Sequence, residues 1–265
     1  MTESNGAGGL VARDVVVRFG GLVANDGASA EVHRGRITGL IGPNGAGKTT
    51  FFNVCCGFQR ADAGTVELDG TDISHEPPER RARRGMGRTF QRMELFRSLT
   101  VRENIEAAVE SQHIGSDPLS QLGLRSGGRA TRREIREGAD DVMDRIGITG
   151  IAASVAGRIS TGQGRLVELA RAVARQPSIL LLDEPSSGLD PVESQAFGDQ
   201  LVRLVEDDGL GILLVEHDIE MVLRICSWIH VLDFGKPLLD GPPEELRKSE
   251  ILREAYLGRA LDEPA

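Results

Sequence analysis

The sequence is poor in cysteine and in aromatic residues, and each shortage excludes a class of protein. Three cysteines without a C-x-x-C pair exclude a disulfide framework and favour reduced thiols in a cytoplasmic protein. Aromatic residues make up only 4% of the 265 residues, which is too few for platforms that stack nucleic-acid bases. An apolar run near the roughly 20 residues that span a bilayer is lacking, as is an apolar signal segment near Met1. We therefore expect a protein that is at most peripheral to a membrane.

The chain is acidic overall and rich in glycine. Its 31 basic and 40 acidic residues give a net charge of −9, which argues against a surface that binds nucleic acid as a whole. The 33 glycines suit loops through which the backbone approaches phosphates closely. The 40% of hydrophobic residues excludes wholesale disorder, and the length suits one large α/β domain or a domain with an insertion.

Predicted strands and helices alternate along most of the chain. The strands are predicted at 11–18, 37–41, 66–68, 179–182 and 212–215. The helices are predicted to begin near Gly47 and to span 163–176, 191–207 and 218–225, followed by a hairpin at 229–240. Residues 1–9 are expected to be a disordered start, and about 20 residues at the end are expected to be helical.

Residues 92–160 differ from the rest of the chain in their sequence pattern, because strands and helices do not alternate there. Helical patterns at 99–110 and 132–146 enclose a polar, glycine-rich arm at 111–131. This arrangement predicts a helical subdomain inserted into the α/β chain, with a flexible arm inside it.

A glycine-rich loop follows the predicted strand at 37–41. Residues 42–49 match G-x-x-x-x-G-K-[ST], and a helix is predicted directly after them. Backbone N–H groups of such a loop, together with the N-terminal end of the helix, can bind the β- and γ-phosphates of a nucleotide. Lys48 would bridge these two phosphates, and the hydroxyl of Thr49 would ligate Mg²⁺.

Two carboxylates end the apolar strand at 179–182. Asp183 would hold Mg²⁺ through water, and Glu184 could orient or deprotonate an attacking water molecule. Carboxylates at the end of a strand are often only solvated surface groups. Together with the glycine-rich loop, they predict a site for phosphoryl transfer.

The order of the remaining motifs resembles the ATPase subunits of ABC transporters, from about residue 10 to 258. Gln91 matches the glutamine of the Q-loop, residues 159–163 match the signature motif, and residues 187–190 match the D-loop. His217 matches the switch histidine. Phe19 stands where the family places an aromatic residue that stacks on adenine.

The resemblance implies an α/β fold, namely a P-loop NTPase with a RecA-like core, an antiparallel β subdomain and an inserted helical subdomain at about 92–160. Residues 259–265 would form a C-terminal tail. The implied activity is hydrolysis of ATP with Mg²⁺ in a head-to-tail dimer, where each bound ATP meets the signature of the other subunit. The signature would present the positive end of the helix at 163–176 to the γ-phosphate.

The family's functional residues carry over motif by motif. The implied catalytic residues are Lys48, Gln91, Glu184 and His217. The implied nucleotide-binding residues are Phe19, Gly42, Pro43, Asn44, Gly45, Ala46, Gly47, Lys48, Thr49, Thr50, Ser160, Gly162, Gln163 and Asp190. The implied metal ligands are Thr49, Gln91 and Asp183. Thr161 replaces the first glycine of the signature, and because threonine resists a positive φ, we expect ordinary backbone there.

Within the family, the chain is most similar to the LivG-type subunits of branched-chain amino-acid importers. The similarity rests on residues 18–22, 88–91, 213–218 and 255–258, and on the arm before the signature. It implies two transmembrane permeases, a second ATPase that is a copy or a different chain, and an extracytoplasmic binding protein. The protein would then lie at the cytoplasmic face of the cell membrane.

Other functions stay open on the sequence alone. Subunits for lipopolysaccharide export and for urea or amide transport share several of these motifs. A soluble ABC ATPase acting on nucleic acid or the ribosome is disfavoured, because this chain has one cassette and a short insertion. We expect no nucleic-acid partner.

Two further groups of residues allow two interpretations each. The arginines in 80–92, which are Arg80, Arg81, Arg83, Arg84, Arg88 and Arg92, could bind nucleic acid or anionic lipid, but a solvated helix face is favoured. The apolar residues Met93, Leu95, Phe96 and Leu99 could contact a permease or belong to the core of the helical subdomain, with equal weight.

Overall fold

The computed structural model describes residues 8–89, 93–113 and 132–249. Its strands are β1 (Gly9–Phe19), β2 (Leu22–His33), β3 (Ile37–Ile41), β4 (Ala63–Leu68), β5 (Thr71–Asp72), β6 (Met86–Arg88), β7 (Ile179–Asp183), β8 (Gly211–Val215), β9 (Trp228–Asp233) and β10 (Lys236–Gly241). Its helices are α1 (Lys48–Cys56), α2 (Pro78–Arg83), α3 (Val101–His113), α4 (Arg132–Ile146), α5 (Thr161–Val173), α6 (Pro191–Asp208), α7 (Ile219–Ile225) and α8 (Pro243–Leu246).

A six-stranded sheet in the order β10-β9-β3-β8-β7-β6 forms the centre of the fold. Its strands run parallel except for β10, and every residue of β3, β7 and β8 is buried. Leu180 and Leu182 pack into one hydrophobic cluster and Leu181 into the other, so the sheet is covered on both faces. Because parallel strands end at the same edge, the residues after β3, β7 and β8 come together there.

A second, antiparallel sheet in the order β2-β1-β4-β5 covers α1 from the other side. Phe51 and Phe52 of α1 are fully buried between residues of both sheets. The long strand β2 was not predicted, because Asn25, Asp26 and Gly27 inside it resemble a turn. Pairing with β1 supplies the backbone hydrogen bonds that the local sequence does not favour.

The helical region consists of α3 and α4 packed on α5. Val101, Ile105, Ala139, Met143 and Val167 are all buried in its core. Both predicted helices are present, although α3 runs through 113 and so takes the first residues of the predicted arm. The rest of that arm lies outside the described residues.

Several predicted boundaries were wrong, for identifiable reasons. The helix predicted at 163–176 begins at Thr161, because the side chain of Ser160 caps it, and it ends at Val173. Gly9, expected in a disordered start, belongs to β1 and pairs with His33. The short elements α2 and β6 were missed, whereas the predicted hairpin is present as β9 and β10, with its turn at Phe234-Gly235. Residues 1–7 and 250–265 lie outside the described part, as do the predictions for them.

The expectation of free cysteines is confirmed, because Cys55, Cys56 and Cys226 are buried and form no disulfide.

The interpretation of the arginine cluster as a solvated face was wrong for Arg81. Arg80, Arg83 and Arg84 of this cluster are exposed, but Arg81 is 2% exposed. Its Nη1 donates to the carbonyls of Val54 and Cys55, both at 2.7 Å. These carbonyls end α1, so the guanidinium caps the helix whose other end carries the phosphate loop. Arg92 lies outside the described residues.

Replacement of Arg81 by methionine is expected to lower the free energy of unfolding by about 3 kcal/mol, because the buried carbonyl of Cys55 loses its donor and that of Val54 keeps only the N–H of Gly57. The urea midpoint at a fixed slope measures this change. Arg80→Met on the same helix is the matched control, since Arg80 is exposed and should cost under about 0.5 kcal/mol. Equal losses in both variants would contradict the capping role.

Candidate functional site

The phosphate loop occupies residues 42–47, between the end of β3 and the start of α1. Gly45 and Gly47 have φ of 83° and 90°, a conformation that favours glycine. A Cβ on Gly42 would lie 2.3 Å from the carbonyl oxygen of Leu232, and a Cβ on Gly47 would lie 2.3 Å from that of Ala24. The glycines of the motif are therefore required by close packing, and the N-terminal end of α1 opens directly onto the loop.

Lys48 is the first residue of α1 and is buried beside this loop. Its Nζ donates to the carbonyls of Gly42 at 2.6 Å and Pro43 at 3.0 Å. Burial lowers the pKa of Lys48, whereas the carboxylates of Glu184 and Asp183 act to raise it. A buried ammonium at a helix N-terminus is suited to binding an anion.

Asp183 ends β7 and is 4% exposed. Its Oδ1 is buried and accepts no hydrogen bond from the described part of the chain. Burial, and then the neighbouring carboxylate of Glu184, raise the pKa of Asp183 to about 6. A buried carboxylate with an unused oxygen near a second carboxylate fits a hard cation such as Mg²⁺. The exposed Thr49 next to Lys48 can add a hydroxyl ligand to such an ion.

Glu184 adopts φ of 47°, which is unusual for a residue with a side chain. Its N–H donates to the carbonyl of Val215 at 2.9 Å, and its own carbonyl accepts from the N–H of Ser187 at 3.1 Å. These bonds hold it in a conformation that costs of order 1 kcal/mol or more. Strain of this kind concentrates where the position of a side chain matters.

The switch region follows β8. His217 has an exposed imidazole, whereas Glu216 beside it is 0% exposed. Glu216 accepts from the N–H of Ser186 at 2.8 Å through Oε1 and from the N–H of His217 at 3.1 Å through Oε2. Sequence reasoning assigned no role to Glu216. The feature of the sequence that could have indicated it is a carboxylate that directly follows the apolar residues of β8.

The signature and the D-loop both lead into helix N-termini. Ser160 caps α5 through a capping box with Gln163, and Asp190 caps α6 through a capping box with Glu193. A Cβ on Gly162 would lie 2.5 Å from a carboxylate oxygen of Glu193, so the two helix starts are in close contact. Thr161 has no positive φ, which confirms the expectation of ordinary backbone there.

The structure brings some of the predicted residues together and leaves others apart. Lys48, Asp183 and Glu184 interact electrostatically at one edge of the central sheet, as do Asp183 and Glu216. The side chains of Ser160 and Gln163 instead make their hydrogen bonds within the cap of α5. Phe19 is half-exposed at the end of β1, opposite Leu22. Gln91 lies outside the described residues. The other predicted nucleotide-binding residues lie in the phosphate loop or directly after it. Pro43, Asn44 and Ala46 belong to the loop, and Thr50 belongs to the first turn of α1.

A groove of about 980 Å³ separates the sheet from the helical region. The guanidinium of Arg88 lies 4.4 Å from the ring centre of Phe58, and that of Arg171 lies 4.9 Å from the ring centre of Phe96. Phe96 lines this groove and is exposed, and Met93 is exposed as well, whereas Leu95 packs against the core. The interpretation as core therefore holds for Leu95, and a contact of Met93 and Phe96 with a permease stays a prediction.

Comparisons with known proteins agree with this geometry. The sequence profile of the ABC transporter family matches residues 25–187. The branched-chain amino acid transport ATP-binding protein BraF of Pseudomonas aeruginosa is 38% identical over 93% of this chain and 96% of its own. The lipopolysaccharide export ATP-binding protein LptB of Haemophilus influenzae is 36% identical over 87% of this chain and 89% of its own.

A solved ATP-binding cassette of an ABC transporter, in its ADP conformation, superimposes with a TM-score of 0.81 at 29% identity, covering 95% of this chain and 99% of the other. Within the described residues, no helix has the length and apolarity needed to cross a membrane. The predicted P-loop fold and the predicted family are therefore confirmed. The chain belongs to the ABC transporter family, as an ATP-binding and ATP-hydrolysing subunit.

Proposed function

We propose that this chain drives the uptake of branched-chain or related amino acids through partner permeases. The motor role rests on one observation: Lys48, Asp183 and the strained Glu184 lie at one edge of the sheet, and Oδ1 of Asp183 has no hydrogen-bond partner among the described residues. The similarity to a branched-chain amino acid transport protein over nearly the whole of both chains supports the choice of solute.

In this proposal the loop and α1 bind the phosphates of ATP, and Lys48 exchanges its two carbonyl partners for phosphate oxygens. Thr49 and Asp183 would hold Mg²⁺, with Gln91 added by the resemblance, and the ion would neutralise charge on the phosphates. Glu184 accepts a proton from the attacking water. His217 contacts the γ-phosphate, and Phe19 stacks on the base.

The second ATPase subunit supplies the signature to this site. The capped start of α5 points to a preformed phosphate-binding end, because its first turn is already ordered by Ser160 and Gln163. Gly162 and Asp190 complete this interface in the proposal, and the partner is a copy of this chain or a related one. In this proposal the two ATPase subunits close on bound ATP and separate after hydrolysis, and this movement drives the permeases.

The groove between sheet and helical region is the proposed contact with the permeases. The exposed Phe58 and Phe96, with Arg88 and Arg171 stacked on them, give it an apolar and basic character that suits a helix from another subunit. The chain then lies on the cytoplasmic face of the membrane, with an extracytoplasmic binding protein on the other side.

Capture of partners tests this proposal. Tagged Glu184→Gln protein with Mg-ATP is incubated with detergent-solubilised native membranes, and the proteins that co-purify are identified. We expect two permeases and an ATPase, encoded beside a binding protein. A sample without ATP is the control, since the sandwich needs nucleotide to close.

The identity of the captured proteins decides between the functions. Lipopolysaccharide-export permeases would overturn the amino-acid assignment, and ribosomal proteins or nucleic acid alone would overturn the transport role. In cells, deletion of the gene should abolish uptake of radiolabelled leucine, isoleucine or valine, and only the wild-type gene should restore it. Unchanged uptake of all three would contradict the proposed solute.

A further inference from the structure

Glu216 is a fully buried carboxylate that none of the motifs explains. It follows β8 at the edge of the sheet where Lys48, Asp183 and Glu184 lie, and its own N–H donates to the carbonyl of Leu40 in β3. A carboxylate that loses all contact with water needs strong compensating partners. Its partners are therefore informative about its purpose.

Those partners belong to the two loops that flank the reaction. The N–H of Ser186, just before the D-loop, donates to Oε1 at 2.8 Å. The N–H of His217 donates to Oε2 at 3.1 Å, and Nδ1 of the same histidine lies 3.6 Å from Oε2. One carboxylate thus holds the loop after β7 and the loop after β8 in a fixed relation.

The position of Nδ1 has a chemical consequence. Because Nδ1 faces the carboxylate of Glu216, Nε2 is the nitrogen that remains for a phosphate oxygen, and Nε2 must carry a proton to donate to that oxygen. The imidazole is 60% exposed, which leaves room for a ligand beside the ring while Nδ1 faces the carboxylate. Carboxylates that orient a functional histidine in this way act through the histidine and never touch the substrate.

We propose that Glu216 is the positioning residue of His217, and that it sets the ring against the γ-phosphate while tying it to the D-loop. This inference rests on the proposed function, because it assumes that His217 contacts bound ATP. It assigns a role to a residue that the motif comparison leaves without one.

Kinetics of Glu216→Gln test the proposal. Glutamine has the same shape but no charge, and because one end of its amide is an NH₂ group, it can accept from only one of the two backbone N–H groups that Glu216 binds. We expect kcat for Mg-ATP to fall about ten- to a hundredfold with little change in KM. Glu216→Asp keeps the charge and should recover part of the rate, whereas Glu220→Gln, an exposed glutamate on α7, should match the wild type.

A double-variant cycle separates positioning from a structural role. If Glu216 acts through His217, Glu216→Gln should slow the His217→Ala variant by no more than about twofold. A slowing as large as in the wild type would overturn the proposal. Thermal unfolding of each variant identifies loss of the fold, and Glu216→Asp then carries the cycle instead.

A spectroscopic measurement tests whether Glu216 positions His217 without requiring ATP hydrolysis. In ¹⁵N-histidine NMR spectra of the full chain, assigned with His217→Ala, the wild-type His217 should show protons on both Nδ1 and Nε2, and Glu216→Gln should lose the proton on Nδ1 while Nε2 keeps its own. An unchanged His217 signal would overturn the inference. Absence of ATP hydrolysis in the wild type would count against the proposed function alone, since the NMR result does not depend on it.

Discussion

Replacing Glu184 with glutamine is expected to reduce ATP turnover at least about a hundredfold while leaving ATP binding intact. Glutamine keeps the size of the side chain but cannot accept a proton from water. Glu184 follows Asp183 and interacts electrostatically with Lys48, so in the proposed mechanism the variant loses the group that accepts a proton from water. Steady-state phosphate release together with nucleotide titration separates the two quantities.

The same variant should also accumulate as an ATP-bound dimer, because the sandwich closes but does not reopen. Size-exclusion chromatography with Mg-ATP reveals this dimer. Glu206→Gln, an exposed glutamate on α6, serves as the control and should behave as wild type. Near-normal turnover by Glu184→Gln would show that another group activates water.

Lys48→Ala is expected to weaken binding of Mg-ATP about a hundredfold. Charge-assisted bonds from an ammonium to phosphate are among the stronger contacts in such sites, and this ammonium is buried, where water screens it little. Isothermal titration measures the affinity, and circular dichroism confirms the fold. A fold check is needed because the carbonyls of Gly42 and Pro43 also lose their donor.

A control with the same change of charge is available elsewhere in the chain. Lys248 is exposed beyond α8, so Lys248→Ala should leave the affinity unchanged. Comparable binding by Lys48→Ala and the wild type would remove Lys48 from the phosphate site. Weaker binding by both variants would indicate that the overall electrostatic potential of the protein, and not a local contact of Lys48, determines the affinity.

The phosphate loop could be predicted because its chemistry lies in consecutive residues. Gly42, Gly47 and Lys48 lie within a short stretch of sequence, so the spacing of the motif is enough to predict how they are arranged. The strands β3, β7 and β8 were equally visible, since burial on both faces gives continuous apolar runs.

Residues whose roles depend on distant packing could not be found in this way. Arg81 resembles its exposed neighbours in sequence and becomes a buried cap only because α1 ends beside it. Glu216 likewise depends on the loop at Ser186, which is far away along the chain. The strand β2 depends on pairing with β1, and its polar residues conceal that pairing.

The left-handed backbone conformation of Glu184 implies a trade-off between the stability of the fold and ATP hydrolysis. Glycine or asparagine adopts φ near 47° with less strain, so a substitution at this position should make the fold more stable by up to about 1 kcal/mol while removing the proposed general base. Selection for heat resistance alone would therefore enrich inactive molecules. Laboratory evolution of a thermostable form of this protein has to score turnover in every round, because the proposed catalytic glutamate occupies a backbone conformation in which glycine or asparagine would be more stable.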